Sequence, residues 1–425
     1  MPNQVLPSIP GFKQPPPVVS QLRREVANLL NRDTLSFPGA QPVSFARKHI
    51  QERLETEDYF VCEKSDGIRC LLYLTTAEGA ETCYLIDRKN DYYLVPELHF
   101  PTEKSEQDFH SDCLVDGELV LDIEDSTGDG NVVEDGSSSI GEKNTVMRFL
   151  VFDALVIDGK LLTDRSLDKR LGHFRQFVYL PYSNLCQKYP DEVRRLFPFL
   201  IGFKDMEFSY SLPKLWHDVI PHLRHGTDGL IFTSRFRPYV FGTDENILKW
   251  KPADENSVDF RLSLEFPLYT DPENSNDTYP DYDSQPDAKL FECVSSSQYE
   301  YFSDLYLTPQ EWSDLKSLEE PLNGRIVECS FDINLKKWRY MRFRDDKPSA
   351  NHKSVVQKVF ESVLDNVTKE DLLKASAEIR DAWKKREAKE RERRQKEKEK
   401  WARERGHDVA KYDDSAAPGS KRKIS

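Results

Sequence analysis

The sequence predicts an α+β protein with two folded domains. Two runs of short segments rich in β-branched and aromatic residues, one from Tyr59 and one from near Val258, predict two strand-rich regions with helical segments between and after them. The length of 425 residues also exceeds the about 100–200 residues usual for one domain. We therefore expect domains at residues 1–254 and 255–383, followed by a charged tail at 384–425.

The first domain begins with a proline-rich segment, residues 1–17, which lacks the charged and apolar regions of a secretory signal peptide. Apolar residues at positions 18, 22, 26, 29 and 30 then form one helical stripe, for which Ser20 is a plausible cap. Strands are predicted at 59–62, 70–75, 83–87, 92–98, 114–121 and 148–157.

An acidic, glycine- and serine-rich segment at about 122–146 separates the last two of these strands and predicts a solvated surface insertion. Helical patterns follow at about 167–178, 190–196 and 213–224, and strands return at 229–233 and 247–250.

The second domain is predicted to be a small barrel or sandwich. It contains the short apolar runs RLSLEFPLY, LFECV, RIVECSF and WRYMRFR, broken by a second acidic loop at 271–287. A helical stripe runs from Val355 to Val367. Beyond Lys384 the chain has almost no apolar residue, which fits either a charged helix or a disordered tail, and we favour disorder.

Charge and cysteine content narrow the class of protein. The net charge of −14 argues against a protein coated with basic surface for generic duplex binding, although it does not exclude a local basic cleft. The seven cysteines form no CxxC pair, so neither a disulfide framework nor a zinc ribbon is indicated. No apolar run approaches the about 20 residues of a membrane span. We expect an intracellular soluble protein.

Two apparent motifs are rejected. The segment Gly136–Gly141 imitates the first half of a phosphate-binding loop, but Glu142 occupies the position where such a loop needs lysine. His217, His222 and His225 match no common zinc spacing, and we interpret them as solvated helix histidines.

The motif that indicates chemistry is Lys64-Ser65-Asp66-Gly67-Ile68-Arg69, between two apolar strands. Alone it is moderately specific. Five further elements follow it in order: Asp116-Gly117-Glu118 inside an apolar strand, Phe152-Asp153, Thr227-Asp228-Gly229, Lys249-Trp250-Lys251-Pro252, and Arg342-Phe343-Arg344-Asp345-Asp346-Lys347. Buried carboxylates such as those of the second element cost several kcal/mol unless each has a cationic or hydrogen-bonding partner.

Together these six elements resemble the covalent nucleotidyltransferase superfamily of mRNA guanylyltransferases and polynucleotide ligases, and within it the fungal-type mRNA-capping enzymes. The resemblance runs from about residue 40 to about residue 365. It implies an antiparallel-sheet nucleotidyltransferase domain followed by an OB-fold domain, with a C-terminal helix and a charged tail. Asp228, the KWKP sequence and the RFRDDKPSANH sequence resemble capping enzymes rather than ligases.

The resemblance also implies roles for individual residues. Lys64 would be the nucleophile that carries GMP, and its ordinary pKa of about 10.4 means that the site must disfavour its charge. Arg69 and Glu118 would hold the ribose hydroxyls, and Phe152 would stack on the purine. The other residues expected to bind the nucleotide are Asp66, Arg88, Asp116, Lys249 and Lys251, and, for the β- and γ-phosphates, Arg342, Arg344, Asp346 and Lys347.

A divalent metal, Mg²⁺ or Mn²⁺, is implied by triphosphate chemistry and oxygen ligands. Asp228 is the favoured metal carboxylate, while Asp66, Asp116 and Glu118 compete for that role.

The expected activity is transfer of GMP from GTP, through a lysine–GMP intermediate, to the 5′-diphosphate end of nascent mRNA, with release of pyrophosphate. The resemblance implies a nuclear protein with a separate RNA triphosphatase subunit and the phosphorylated tail of RNA polymerase II as partners, and no membrane. The basic end of the tail fits a nuclear signal, an RNA contact or a solubilising segment. The alternatives are an ATP-dependent polynucleotide ligase using the same lysine and a non-catalytic RNA- or polymerase-binding scaffold.

Overall fold

The chain divides into two units. A computed structural model describes residues 7–124, 145–270, 278–295 and 298–404. The first unit comprises Met1–Val43, Ile50–Lys249 and Leu373–Ser425, and the second comprises Ser44–His49 and Trp250–Leu372. Most of the acidic insertion predicted at 122–146, part of the loop at 271–287 and the end of the tail lie outside the described residues.

Among the described residues, thirteen strands lie wholly or almost wholly in the first unit. They are β1 (Phe12–Lys13), β2 (Ala40–Ser44), β3 (Tyr59–Ser65), β4 (Ile68–Ala77), β5 (Ala80–Ile86), β6 (Tyr92–Val95), β7 (Cys113–Ile123), β8 (Thr145–Ile157), β9 (Lys160–Leu161), β10 (Leu200–Phe203), β11 (Glu207–Phe208), β12 (Thr227–Ser234) and β13 (Gly242–Trp250). Its helices are α1 (Pro16–Leu29), α2 (Leu167–Phe174), α3 (Leu180–Lys188), α4 (Pro190–Leu196) and α5 (Leu212–Lys214), with π- or 3₁₀-helical turns at Ile50–Leu54, Arg175–Tyr179, Ser209–Ser211, Leu215–Val219 and Ile220–His222.

These strands form two sheets. The larger has the order β1-β6-β5-β4-β7-β8-β10, with β9 paired to β8, and the smaller has the order β11-β3-β12-β13-β2. The expectation of purely antiparallel pairing is wrong at one place, because β10 pairs with β8 in parallel. The helical segment α2–α4 lies between these strands, and such a crossover is what a parallel pair requires.

The chain passes from one sheet to the other between β3 and β4. These consecutive strands are separated only by Asp66 and Gly67 and belong to different sheets. A Cβ atom at Gly67 would lie 2.3 Å from the Leu119 carbonyl oxygen and 2.9 Å from the Glu118 side chain, both on β7. Glycine therefore allows the crossing to pass close to β7.

Helix α1 covers part of the larger sheet. Its Val19, Leu22 and Val26 pack in one buried cluster with residues of β4 and β5. The predicted cap is wrong, because Pro15 occupies the N-cap position and the Ser20 hydroxyl, inside the helix, donates to the Pro16 carbonyl at 2.9 Å. Proline suits the first turn, where no intrahelical donor is needed.

The second unit contains a closed five-stranded barrel of order β14-β17-β18-β20-β19, which confirms the predicted small barrel. Trp338, Phe260 and Val327 are buried within it. Helix α6 begins with a capping box formed by Thr308 and Glu311. The elements are β14 (Ser257–Glu265), β15 (Leu268–Thr270), β16 (Thr278–Pro280), β17 (Asp287–Ser295), β18 (Gln298–Tyr306), β19 (Ile326–Asp332), β20 (Lys337–Phe343), α6 (Pro309–Lys316), α7 (Lys353–Asp365) and a turn at Ala253–Glu255.

Helix α8 (Lys369–Glu404) differs from the expected disorder beyond residue 384. Arg386 lies 2.9 Å from Asp58, and the Trp383 ring centroid lies 5.0 Å from that of Tyr210. This part of the helix, which belongs to the first unit, therefore packs against other residues of that unit. Ion pairs four residues apart, such as Arg391–Glu387, support the helix further along. Among the described helices, none is both long enough and apolar enough to span a bilayer.

Candidate active site

Lys64 lies near the end of β3, in the smaller sheet. Its Nζ is 2.6 Å from Oδ1 of Asp228, and the two side chains are 24% and 19% exposed. Asp228 is on β12, the antiparallel neighbour of β3, where the register shifts between Thr227 and Leu230. The Thr227 hydroxyl donates to the Lys64 carbonyl at 2.8 Å, which fixes the backbone of the lysine. Strand pairing thus brings together two motifs that are 164 residues apart in sequence.

Arg69 lies just across the crossing, on β4 of the larger sheet. Its guanidinium binds Asp116 with two hydrogen bonds, from Nε to Oδ1 at 3.0 Å and from Nη2 to Oδ2 at 2.7 Å. The Asp116 side chain is fully buried, while that of Arg69 remains 11% exposed. The central guanidinium carbon lies 5.4 Å from the ring centroid of Phe152. The structure therefore brings three predicted site residues together: Asp116 contacts Arg69, and Arg69 contacts Phe152.

Phe152 owes its position to an irregularity in strand pairing. In the β7–β8 ladder Asp116 pairs with Asp153 and Gly117 pairs with Val151, so Phe152 is an extra residue on β8. Such a bulge turns a side chain away from the regular alternation of the strand. Gly117 makes room for this arrangement, since a Cβ atom there would lie 2.5 Å from the buried Phe149 ring.

Glu118 lies opposite Arg69 in the β4–β7 register. Burial raises the pKa of Glu118, and the positive charges of Lys204 and Lys64 partly oppose that rise. Oε2 of Glu118 is 3.8 Å from Nζ of Lys204. This carboxylate is therefore held by cations on one side and only slightly open to solvent.

Lys204 is a site residue that the sequence analysis missed. Its side chain is only 3% exposed, and its Nζ lies 2.6 Å from the Ser65 hydroxyl and 3.5 Å from Glu63 Oε1. No motif surrounds it in sequence. The signal available was a lysine immediately after the apolar strand β10, but lysines at strand ends are usually solvated.

His225 also belongs to this buried polar cluster, which corrects its interpretation as a solvated histidine. Its side chain is 7% exposed, with Nδ1 2.8 Å from Asp122 and Nε2 3.5 Å from Glu63 and 3.2 Å from the Ser65 hydroxyl. Burial alone would lower the pKa of His225, but Asp122 and Glu63 raise it to about 9. A charged imidazole therefore contacts Ser65, the residue that follows Lys64.

The remaining predicted residues of this region are more loosely held. Asp66 and Arg88 are exposed, and Arg88 makes a long 3.3 Å hydrogen bond to Gln41. Lys249 is on β13, which neighbours β12 in the smaller sheet. Lys251 follows that strand and belongs to the second unit.

The structure separates the carboxylates that compete for a metal. Both oxygens of Asp116 accept hydrogen bonds from Arg69, and its side chain has no exposed surface, so Asp116 is unsuited to bind a cation. Glu118 faces Lys204. Asp228 is partly exposed beside Lys64, and a carboxylate oxygen is the donor that Mg²⁺ prefers. Among the buried and partly buried candidates, Asp228 fits the metal best.

The second unit carries the remaining predicted residues, at the end of β20 and just after it: Arg342, Arg344, Asp346 and Lys347. Arg344 donates to Asp346 at 2.9 Å and lies 3.2 Å from Asp259 and 3.4 Å from Glu328. Arg342 also donates to Glu328, at 2.7 Å. The hydrogen bond from Arg344 lowers the pKa of Asp346 to about 2.

Two family models match the chain. The model described as mRNA capping enzyme, catalytic domain matches residues 6–253, and the model described as mRNA capping enzyme, C-terminal domain matches residues 255–373. Both agree with the resemblance drawn from the motifs.

Full-length relatives agree with the family models. The chain is 47% identical over 395 residues to the mRNA-capping enzyme subunit alpha of Neurospora crassa, covering 89% of this chain and 94% of that protein. It is 44% identical over 381 residues to the subunit of the same description in Schizosaccharomyces pombe, covering 88% and 89%. For Saccharomyces cerevisiae the identity is 39% over 429 residues, covering 91% and 89%. The chain therefore belongs to the mRNA capping enzyme family.

Proposed function

We propose that this chain is an mRNA guanylyltransferase that moves GMP from GTP to the 5′-diphosphate end of RNA through a covalent intermediate on Lys64. The observation that carries the proposal is the placement of Lys64 beside Asp228, at the crossing that also delivers Arg69 to the Phe152 ring. A nucleophile, a cation and an aromatic ring, carried by β3, β4 and β8, suit a nucleotide that must be both bound and attacked.

In the first half-reaction the Lys64 amine attacks the α-phosphorus of GTP. A nitrogen–phosphorus bond forms, the bond to the bridging oxygen breaks and pyrophosphate leaves, while the proton of the lysine is released to solvent. Because the free amine is the nucleophile, the ion pair between Lys64 and Asp228 has to open before attack. Lys249, on the strand next to β12, is proposed to contact the phosphates.

In the second half-reaction a terminal oxygen of the RNA 5′-diphosphate attacks the same phosphorus. The nitrogen–phosphorus bond breaks, and the lysine recovers a proton as the GpppN cap forms. Arg69 and Glu118 are proposed to keep the ribose in place through both steps, and Phe152 to stack on the purine. Retention of the nucleoside between the steps matters because the second substrate has to find one fixed phosphorus.

The proposed metal, Mg²⁺ or Mn²⁺, would be held by Asp228, whose partly exposed carboxylate lies at the nucleophile. When bound, it would neutralise charge on the phosphates. Asp66 and Arg88, which are exposed, are proposed to contact the nucleotide at the rim of the site.

For the second unit we propose that its barrel is an OB-fold, to which five strands and ring closure are suited. The proposal keeps Lys251 as a phosphate contact and assigns the β- and γ-phosphates to Arg342, Arg344, Asp346 and Lys347. The further proposed partners are a separate RNA triphosphatase subunit and the phosphorylated tail of RNA polymerase II, in the nucleus. Relatives named as an alpha subunit support a partner subunit.

Incubation with α-labelled GTP or α-labelled ATP and Mg²⁺, followed by denaturing electrophoresis, tests the proposal. We expect label on the chain from GTP, none from ATP, and none in a Lys64→Ala variant. Lys188→Ala is the matched control, because Lys188 is an exposed lysine of the same unit paired with Glu106, and it should label normally. Label from ATP alone would favour a polynucleotide ligase, and label from neither nucleotide would favour the scaffold.

A further inference from the structure

A buried tyrosine outside the predicted motifs contacts Asp116, the carboxylate that binds Arg69. Tyr239 lies in the connection between β12 and β13 and is 7% exposed. Its hydroxyl donates to Oδ2 of Asp116 at 2.7 Å and accepts from the Ala40 amide at 2.8 Å. The hydroxyl therefore both donates and accepts a hydrogen bond. The oxygen to which it donates, Oδ2 of Asp116, also accepts a hydrogen bond from Nη2 of Arg69.

The surroundings of Tyr239 leave it no alternative position. Its ring lies against the buried ion pair of Arg170 and Asp153, with the Arg170 guanidinium carbon 5.8 Å from the ring centroid. Its backbone amide donates to the Thr163 carbonyl at 2.8 Å. Arg69 also donates to the Ala40 carbonyl. Tyrosine, carboxylate and arginine therefore form a closed ring of contacts through Ala40.

This ring of contacts joins the two sheets of the first unit. Asp116 and Arg69 are on β7 and β4 of the larger sheet, whereas Ala40 begins β2 of the smaller sheet and Tyr239 precedes β13. Arg69 is held by Asp116 and by the Ala40 carbonyl. Because Tyr239 fixes the Asp116 carboxylate, it limits the orientations of the Arg69 guanidinium, whose central carbon lies 5.4 Å from the Phe152 ring centroid.

We infer that Tyr239 is a positioning residue for nucleotide binding: through Asp116 it sets the orientation in which Arg69 meets the ribose of the bound nucleotide. The inference rests on the proposed function, in which Arg69 contacts the ribose hydroxyls. Tyr239 is buried and is not itself proposed to contact the substrate. Removal of its hydroxyl alone should leave the ring packed and make Arg69 less well oriented.

The test compares Tyr239→Phe with wild type, using GTP and 2′,3′-dideoxyGTP as substrates for labelling of Lys64. With GTP, kcat/KM should fall about tenfold, which is the size of effect expected for one hydrogen bond to a charged group. With the dideoxynucleotide, the fall should be less than about twofold, because the hydroxyls that Arg69 would read are absent. A partly misfolded preparation would lower both rates equally.

The matched control is Tyr182→Phe. Tyr182 is also buried in the first unit, and its hydroxyl accepts a hydrogen bond from the Ile201 amide at 3.1 Å, away from the site. We expect this variant to change kcat/KM by less than about twofold with either nucleotide. An equal loss with both nucleotides for Tyr239→Phe, or no loss, would overturn the inference.

The two proposals fail in different ways. Absence of label on wild type with both GTP and ATP would refute the proposed function, whereas an unaltered Tyr239→Phe beside an active wild type would refute only the inference. If ATP is the substrate, the same comparison is made with ATP and 2′,3′-dideoxyATP. If no label forms, calorimetric titration of GTP decides: a weaker affinity in the variant supports the positioning role, and equal affinities or no binding to wild type overturn it.

Discussion

The charged side chain of His225, which contacts Glu63 and Ser65, should make the stability of the first unit depend on pH. His225 has its pKa raised from 6.5 to about 9 by Asp122 and Glu63, against the opposing effect of burial. The folded state therefore holds a proton that the unfolded state releases at lower pH. The stabilisation is fully present below pH 6.5 and is lost as the pH rises through about 9.

The size of the effect follows from that difference in pKa. At about 1.36 kcal/mol per unit, the shift corresponds to about 3 kcal/mol of unfolding free energy. A unit of nearly 300 residues loses about 1.5–2 °C of melting temperature per kcal/mol, so the total change is about 5 °C. The side chain is only 7% exposed, so solvent screens the pairs with Asp122 and Glu63 weakly.

The assay is the melting temperature of wild type and of His225→Asn between about pH 6 and pH 9.5, with near-ultraviolet circular dichroism as the probe. The difference between the two proteins should be largest at the acid end and should shrink as the pH rises. His222→Asn is the control, because His222 is exposed, and it should melt like wild type. A difference between wild type and His225→Asn that stays constant or grows with pH would refute the reasoning.

Three further changes test packing. Gly117→Ala places a Cβ atom 2.5 Å from a buried phenylalanine ring, so the melting temperature should fall by several degrees, whereas Gly172→Ala, with no atom within 4 Å, should not lower it. Arg170→Met leaves Asp153 buried without its cation and should lower the melting temperature by about 5–8 °C; a second change, Asp153→Leu, should recover part of that loss. Trp383→Ala removes a ring from the packed face of α8 and should speed tryptic cleavage of that helix, and an unchanged cleavage rate would contradict the packing.

The family and the enzyme class were predictable because nucleotidyl transfer needs particular residue types. Lys64, Asp116, Glu118 and Asp228 occur in motifs whose glycines and carboxylates have few other uses at such positions. The family models and relatives confirm this identification. The individual roles of these residues stay predictions.

The supporting residues could not be predicted, because their environment depends on tertiary pairing. Lys204, His225 and Tyr239 stand in segments whose local sequence is ordinary. Each becomes a site residue only when the strands assemble and enclose its polar group. Residues 384–404 escaped prediction for a related reason, since the contacts of Trp383 and Arg386 that anchor this helix are with residues far away in sequence.

The passage of the chain between sheets at Asp66 has a consequence for synthesis on the ribosome. The larger sheet uses residues up to Phe203, so its strands are available once that segment has emerged. Strand β3, with Lys64, must wait for its neighbour β12, on which Asp228 lies 164 residues further along the chain. Such non-local pairing is slow and leaves apolar strand edges exposed meanwhile. The nascent chain should therefore need protection by chaperones in this interval, and the surroundings of Lys64 should be among the last parts of the unit to form.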